Sequence, residues 1–368
     1  MLIVLFISCL SVFIVYLYSK GLLKNGLEIA FILLAAFFSI RYKYGNDYVG
    51  YMDVFNDISK YSSFSVLLSN YLSSDSLFLS EIGWGILNYL YKPFGFPCLV
   101  AFLTCFEYYI YYKFIKTYVS RQYQWMAVFT LVLNPQILLL QLSMLRQALA
   151  IVLLIQGTHF IIKNKKAYSI VFALCAVLVH KSALFVLPVF IAIAFYKYIG
   201  RKIALIVVVG VYAALLLSRD YLSALYALSF DNDLVNNYAA YESRAESSDM
   251  SIGIGFFFSL IPFLLLLRYI WITKEPTGIY LLVLLSALSY AMAPISFIES
   301  LLNRFVNYFS VYTIVSLPFA YYSVKDRTFR VGLIAIYILI TLYSYYSFMT
   351  NPTWIKGFST YHTILGII

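Results

Sequence analysis

Four polar positions stand out in a chain that is otherwise mostly apolar: Arg41, Arg146, the pair His180-Lys181, and Arg304. Arg146 sits in Gln141-Leu142-Ser143-Met144-Leu145-Arg146-Gln147-Ala148, between two apolar runs. A guanidinium at the centre of a membrane helix costs about 2.5 to 3.5 kcal/mol, so this one calls for water or an anion. Several guanidinium groups on one side of a molecule suit phosphate, because each presents a planar fork of N–H donors. His180 joins Val177-Leu178-Val179 to Lys181-Ser182-Ala183-Leu184, and an imidazole titrates near neutrality, as a general base should. Each residue also has a plainer reading: arginines near helix ends snorkel to water, and a helix-end histidine often bonds to backbone. Arg41 opens the stretch Arg41-Tyr42-Lys43-Tyr44-Gly45-Asn46-Asp47-Tyr48-Val49-Gly50-Tyr51, a polar, glycine-containing shelf directly after Phe37-Phe38-Ser39-Ile40.

The elements that must position these residues are membrane helices. Of 368 residues, 63% are hydrophobic and only 11% charged, against about a quarter charged in soluble proteins. The apolar runs are too long for barrel strands of about 10 residues, so the expectation is an all-α polytopic membrane protein. The runs number about twelve (range 10–13), forming one integral domain over 1–368. Leu2 to Tyr18 is expected to be a retained first helix, since Lys20 follows it and no positive segment precedes it.

Sixteen of the 26 lysines and arginines fall on one side of this arrangement, and twelve of the 16 acids on the other. The basic side is therefore expected to be cytoplasmic, with both termini and two large loops, about 41–95 and 219–253, outside. Arg41, Arg146, His180, Lys181 and Arg304 then share the outer face. The net charge of +10 follows this sidedness and forms no stripe for nucleic acid. Cys9, Cys98, Cys105 and Cys175 lie in apolar runs and are read as packing residues. No metal and no cofactor is expected, since no His-x-x-x-His or paired-cysteine pattern stands on the outer face. The segment Glu81-Ile82-Gly83-Trp84-Gly85-Ile86-Leu87-Asn88-Tyr89-Leu90-Tyr91 is too short to span and is expected to lie in the membrane interface. Glu107, inside a span, reads as a paired residue rather than a proton carrier.

Three ordered motifs resemble those of Wzy-type O-antigen polymerases and the related EpsG-like exopolysaccharide proteins. They are Arg41-x-x-x-Gly45-x-Asp47-Tyr48-x-x-Tyr51, Leu145-Arg146-Gln147-Ala148-Leu149-Ala150 and His180-Lys181-Ser182-Ala183-Leu184, with Asn303-Arg304-Phe305 as a fourth. The resemblance implies a GT-C-like glycosyltransferase in a bacterial inner membrane. Such an enzyme polymerises undecaprenyl-pyrophosphate-linked oligosaccharide repeat units at the outer face. On this reading Arg146 and Arg304, with Arg41, Arg244, Tyr48, Gln147 and Lys181, contact donor pyrophosphate or glycan. The acceptor hydroxyl loses its proton to His180, or to an outer carboxylate such as Asp47 or Glu242. A Wzz-type chain-length regulator and a Wzx-type flippase are the implied protein partners. A ligase or other lipid-linked glycosyltransferase would use similar chemistry. A flippase would need cations deep in the spans, and none is evident.

Overall fold

Inside a bilayer each segment must satisfy its own backbone, which leaves helices as the way to bury a chain of this composition. The computed structural model describes residues 2–72, 81–218, 254–274, 276–294 and 303–366. It is helical almost throughout, and an all-helical membrane protein is what the sequence pattern leads one to expect. Two compact units divide the chain, Met1–Tyr196 with Ile338–Ile368, and Lys197–Tyr337.

The first unit holds α1 (Leu2–Ser19), α2 (Gly26–Ser39), the two-residue strand β1 (Arg41–Tyr42), α3 (Tyr48–Ser59), α4 (Phe64–Leu72) and α5 (Ile82–Tyr91). There follow α6 (Phe96–Tyr118), α7 (Gln124–Leu133), α8 (Pro135–Leu142), α9 (Leu145–Ile162), α10 (Lys166–Val179) and α11 (Leu187–Ile193). The second unit contains α12 (Arg201–Leu217), α13 (Ile254–Ile272), α14 (Gly278–Ala291), α15 (Asn303–Ser310) and α16 (Thr313–Tyr322). Helix α17 (Arg327–Thr350) starts in the second unit and ends in the first, where α18 (Pro352–Phe358) and the strand β2 (His362–Thr363) complete the chain.

Among the described residues, α1, α6, α9 and α17 are long and apolar enough to cross a membrane, and α7 with α8 adds a fifth crossing bent by 63°. Shorter apolar helices, such as α2, α10 and α14, accompany them. Most of the other runs of the twelve expected form helices of 10–17 residues, and some runs are divided by breaks. The run Trp125–Leu140 is interrupted at Asn134-Pro135. Pro135 has no N–H to give the Leu131 carbonyl, and the buried Gln141 amide supplies one instead, at 3.2 Å. The Asn134 carboxamide caps the new helix, accepting from Gln136 N–H at 3.0 Å. Phe305–Tyr322 is likewise divided, between α15 and α16.

Helices α7 and α9 form the centre of the first unit; Met126 to Leu133 is buried without interruption. An all-round apolar helix of this kind can only be interior. Helices α6 and α10 pack on α9, and α5 packs on α10, α3 and α6. The ends of α5, α9 and α10 are thereby brought together.

Candidate active site

Three local features converge on one point of the first unit. Helix α10 stops at Val179 because His180 is extended (φ −148°, ψ 115°), after which Lys181–Val186 runs as a 3₁₀ turn. Helix α9 begins at Leu145, which puts Arg146 in its first turn. Glu81, just before α5, is left-handed (φ 54°, ψ 41°), a conformation that costs a non-glycine residue about 1–2 kcal/mol. Gly83 lets α5 close on α10: a Cβ there would lie 2.9 Å from the Leu178 carbonyl oxygen. Gly83→Ala is therefore expected to push α5 outward, destabilising the protein by about 1–3 kcal/mol and reducing activity. Gly50→Ala, where a Cβ meets nothing within 4 Å inside α3, should leave stability equal or higher. Thermal melts of the detergent-solubilised variants check both.

The result is a cluster centred on the Glu81 carboxylate. Its Oε1 lies 2.7 Å from His180 Nδ1 and accepts the Lys181 backbone N–H at 3.1 Å. Its Oε2 is paired with Arg146 Nη1. The Arg146 guanidinium lies over the Tyr51 ring, 5.3 Å from its centroid. Trp84 of α5 packs edge-on against Tyr51 at 5.5 Å. Glu81, Tyr51, Trp84 and His180 are buried, whereas the Arg146 side chain is 37% exposed and Lys181 is exposed. The cluster therefore opens on its cationic side.

Burial alone would push the Glu81 carboxyl upward. The His180 hydrogen bond, the Arg146 charge and the Lys181 N–H outweigh it and hold the group down at about 2. An ionised carboxylate can only accept, so His180 Nδ1 carries the hydrogen and donates it, which makes Nε2 the basic nitrogen. A folded-state value below the unfolded one means that this pairing stabilises the protein fully above the ordinary carboxylate range. That stabilisation is lost as pH falls toward about 2. The melting temperature is thus expected to drop between pH 6 and pH 3 by more in wild type than in Glu81→Gln.

The sequence-expected residues fall into five groups. His180, Lys181 and Arg146 meet at Glu81. Asp47 stands at the start of α3, half-buried, where its charge reaches the Tyr51 hydroxyl. Arg41, Tyr48 and Gln147, which the sequence reading expects to contact substrate, are buried: they are 1%, 0% and 2% exposed. Arg41 donates to the Phe38 carbonyl at 2.7 Å, Thr104 Oγ1 at 2.6 Å and the Gln141 carbonyl at 3.3 Å. A buried guanidinium needs such acceptors. Tyr48 turns inward, its hydroxyl on the Arg41 carbonyl at 3.4 Å and its ring on Phe96. Arg304 belongs to the second unit, in the first turn of α15. Glu242 and Arg244 lie outside the described residues, as does the loop 219–253.

Glu81 and Tyr51 are the residues that the sequence reading passed over as chemistry. A signal existed for the first: a lone acid directly before an apolar, aromatic piece, Ile82-Gly83-Trp84-Gly85, is an expensive place for a charge without a partner. No group of three or more His, Cys, Asp or Glu side chains able to hold a metal occurs among the described residues.

The sequence profile of the EpsG family matches residues 24–363. The chain belongs to the EpsG family. The matched span includes every member of the cluster and the Arg41–Tyr51 stretch. No curated protein and no solved structure matches the chain. EpsG membership, with the apolar helices, makes this a membrane protein of polysaccharide biosynthesis and is consistent with a glycosyltransferase-like polymerase.

Proposed function

We propose that this EpsG-family chain polymerises oligosaccharide repeat units carried on undecaprenyl pyrophosphate, at the outer face of a bacterial inner membrane. The observation that carries the proposal is the Glu81–His180 pair beside Arg146 at the open end of α9. Carboxylate, imidazole and guanidinium together suit transfer from a glycosyl pyrophosphate to a hydroxyl, as orienting group, base and stabiliser of the leaving charge.

In the reaction, His180 Nε2 takes the proton of an acceptor sugar hydroxyl while Glu81 fixes the ring and stabilises the imidazolium. The acceptor oxygen forms its bond to the anomeric carbon as the bond from that carbon to the pyrophosphate oxygen breaks. The pyrophosphate leaves with the electron pair. Arg146 and Lys181 offset its growing charge, helped by the positive end of α9. Arg146 Nε and Trp84 Nε1 are buried N–H groups with no acceptor among the described residues, which favours an oxygen-rich ligand here. Arg304 and, from the outer loop, Arg244 and Glu242 are further candidates for donor and acceptor contacts. The charge asymmetry of the sequence supports the outer face and outward termini. A Wzz-type regulator and a Wzx-type flippase remain the proposed partners.

Gel analysis of surface polysaccharide tests this in cells lacking the gene. The expected result is collapse of the ladder to single-repeat glycan, restored by wild type and not by Arg146→Ala. Complete loss of surface glycan, with lipid-linked units held inside, would instead favour transport.

A further inference from the structure

Arg41 and the C-terminal segment form a second device in the first unit, at the junction from which α9 and Arg146 emerge. The junction residues are Gln141, Leu142 and Ser143, and each is gripped by the segment that follows α2. Arg41 Nη2 donates to the Gln141 carbonyl at 3.3 Å. Gly45, at φ +111°, lies so close that a Cβ on it would come 2.5 Å from the Leu142 carbonyl oxygen. The Asp47 backbone N–H donates to Ser143 Oγ at 3.1 Å. Three successive residues are thus held by positions 41, 45 and 47.

The gripping segment is itself held from behind by the chain's end. Strand β2 pairs antiparallel with β1, Arg41 opposite Thr363 and Tyr42 opposite His362. The Ile364 N–H donates to the Ile40 carbonyl at 2.9 Å, and the Gly45 N–H to the Gly357 carbonyl at 2.9 Å. Tyr361 stacks on Phe37 at 4.4 Å, and its hydroxyl donates to the Phe37 carbonyl. Tyr44 is wedged between Phe358 and Tyr361.

We infer that Arg41 is a positioning residue: with the segment 357–364 behind it, it clamps the α8–α9 junction and so fixes where Arg146 stands. This rests on the polymerase reading for its consequence in catalysis, though the clamp itself does not. A buried guanidinium tying three elements together acts on the site through Gln141, across the junction from Arg146, and touches no substrate. Lysine would keep the charge but offers no planar fork to bridge the Phe38, Thr104 and Gln141 acceptors at once.

The test measures chain synthesis by the full-length protein in vesicles against the concentration of lipid-linked repeat unit, for Arg41→Lys, Ser143→Ala and Tyr361→Phe. Amide hydrogen exchange at Gly45 and Asp47 is followed in the same samples. A clamp should lower turnover at least tenfold in Arg41→Lys and about threefold in the two milder variants, with KM changed less than twofold. Exchange at Gly45 and Asp47 should accelerate at least tenfold in Arg41→Lys. A substrate ligand would behave otherwise: Arg41→Lys would raise KM, keep most of the turnover and leave exchange unchanged. That pattern overturns the inference, as does unchanged turnover in Ser143→Ala and Tyr361→Phe if Arg41→Lys fails to accumulate. Should wild type make no polymer while the exchange differences persist, the polymerase reading fails and the clamp stands.

Discussion

Glu81→Gln is expected to reduce polymer formation by about 10²-fold or more while leaving the protein in the membrane at near wild-type abundance. Glutamine has the same size and can still accept the Lys181 N–H. It carries no charge, so it neither dictates which His180 nitrogen bears hydrogen nor stabilises the imidazolium that forms when the acceptor hydroxyl is deprotonated. It also releases Arg146, whose 37% exposed side chain can find water. Glu81→Ala should be worse in both respects, since it leaves a void beside a residue that already holds a strained backbone. Surface-glycan ladders together with membrane immunoblots distinguish loss of chemistry from loss of protein. If Glu81→Gln keeps a full ladder, the carboxylate is only a structural partner of Arg146 and the His180 assignment falls with it.

Arg146→Ala should abolish polymer, again by about 10²-fold or more, for a double reason. It removes the guanidinium proposed to offset the leaving pyrophosphate, and it strands the buried Glu81 carboxylate with one fewer partner. The second effect belongs to folding, and with Arg146 37% exposed and His180 and the Lys181 N–H still on Glu81 it costs less than the roughly 3–5 kcal/mol of breaking a fully buried pair. The double variant Glu81→Gln/Arg146→Ala separates the two. It should recover abundance relative to Arg146→Ala, because no unpaired charge remains, yet stay inactive. Arg268→Ala is the control: Arg268 is exposed on α13 and donates to Ser323 Oγ at 2.9 Å, and its loss should change the ladder less than twofold. Equal damage from Arg146→Ala and Arg268→Ala would mean that both act through folding.

The helical membrane class was legible in the composition, and the Arg146 and His180 motifs were legible because each sets a polar group where an apolar run ends. Their meeting was not, since the third member, Glu81, lies 65 residues from Arg146 and 99 from His180. Sequence spacing cannot show that Gly83 lets one short helix close on the end of another. Arg41 shows what spacing leaves out in another way. An arginine after a span reads as a surface ligand, but the fold supplies Thr104 and two carbonyls from distant segments, and burial becomes tolerable. Asn134-Pro135 shows why apolar runs and helices do not coincide one to one: hydropathy runs straight through a break that only the missing proline N–H and its replacement by Gln141 make visible.

The most direct test places purified protein in lipid vesicles with undecaprenyl-pyrophosphate-linked repeat units and follows both products at once. The expected result is longer glycan with one lipid pyrophosphate released for each new glycosidic bond, and neither product from Glu81→Gln or Arg146→Ala. Movement of lipid-linked units across the vesicle membrane with no new bond, or undiminished chain growth in Arg146→Ala, would contradict the account.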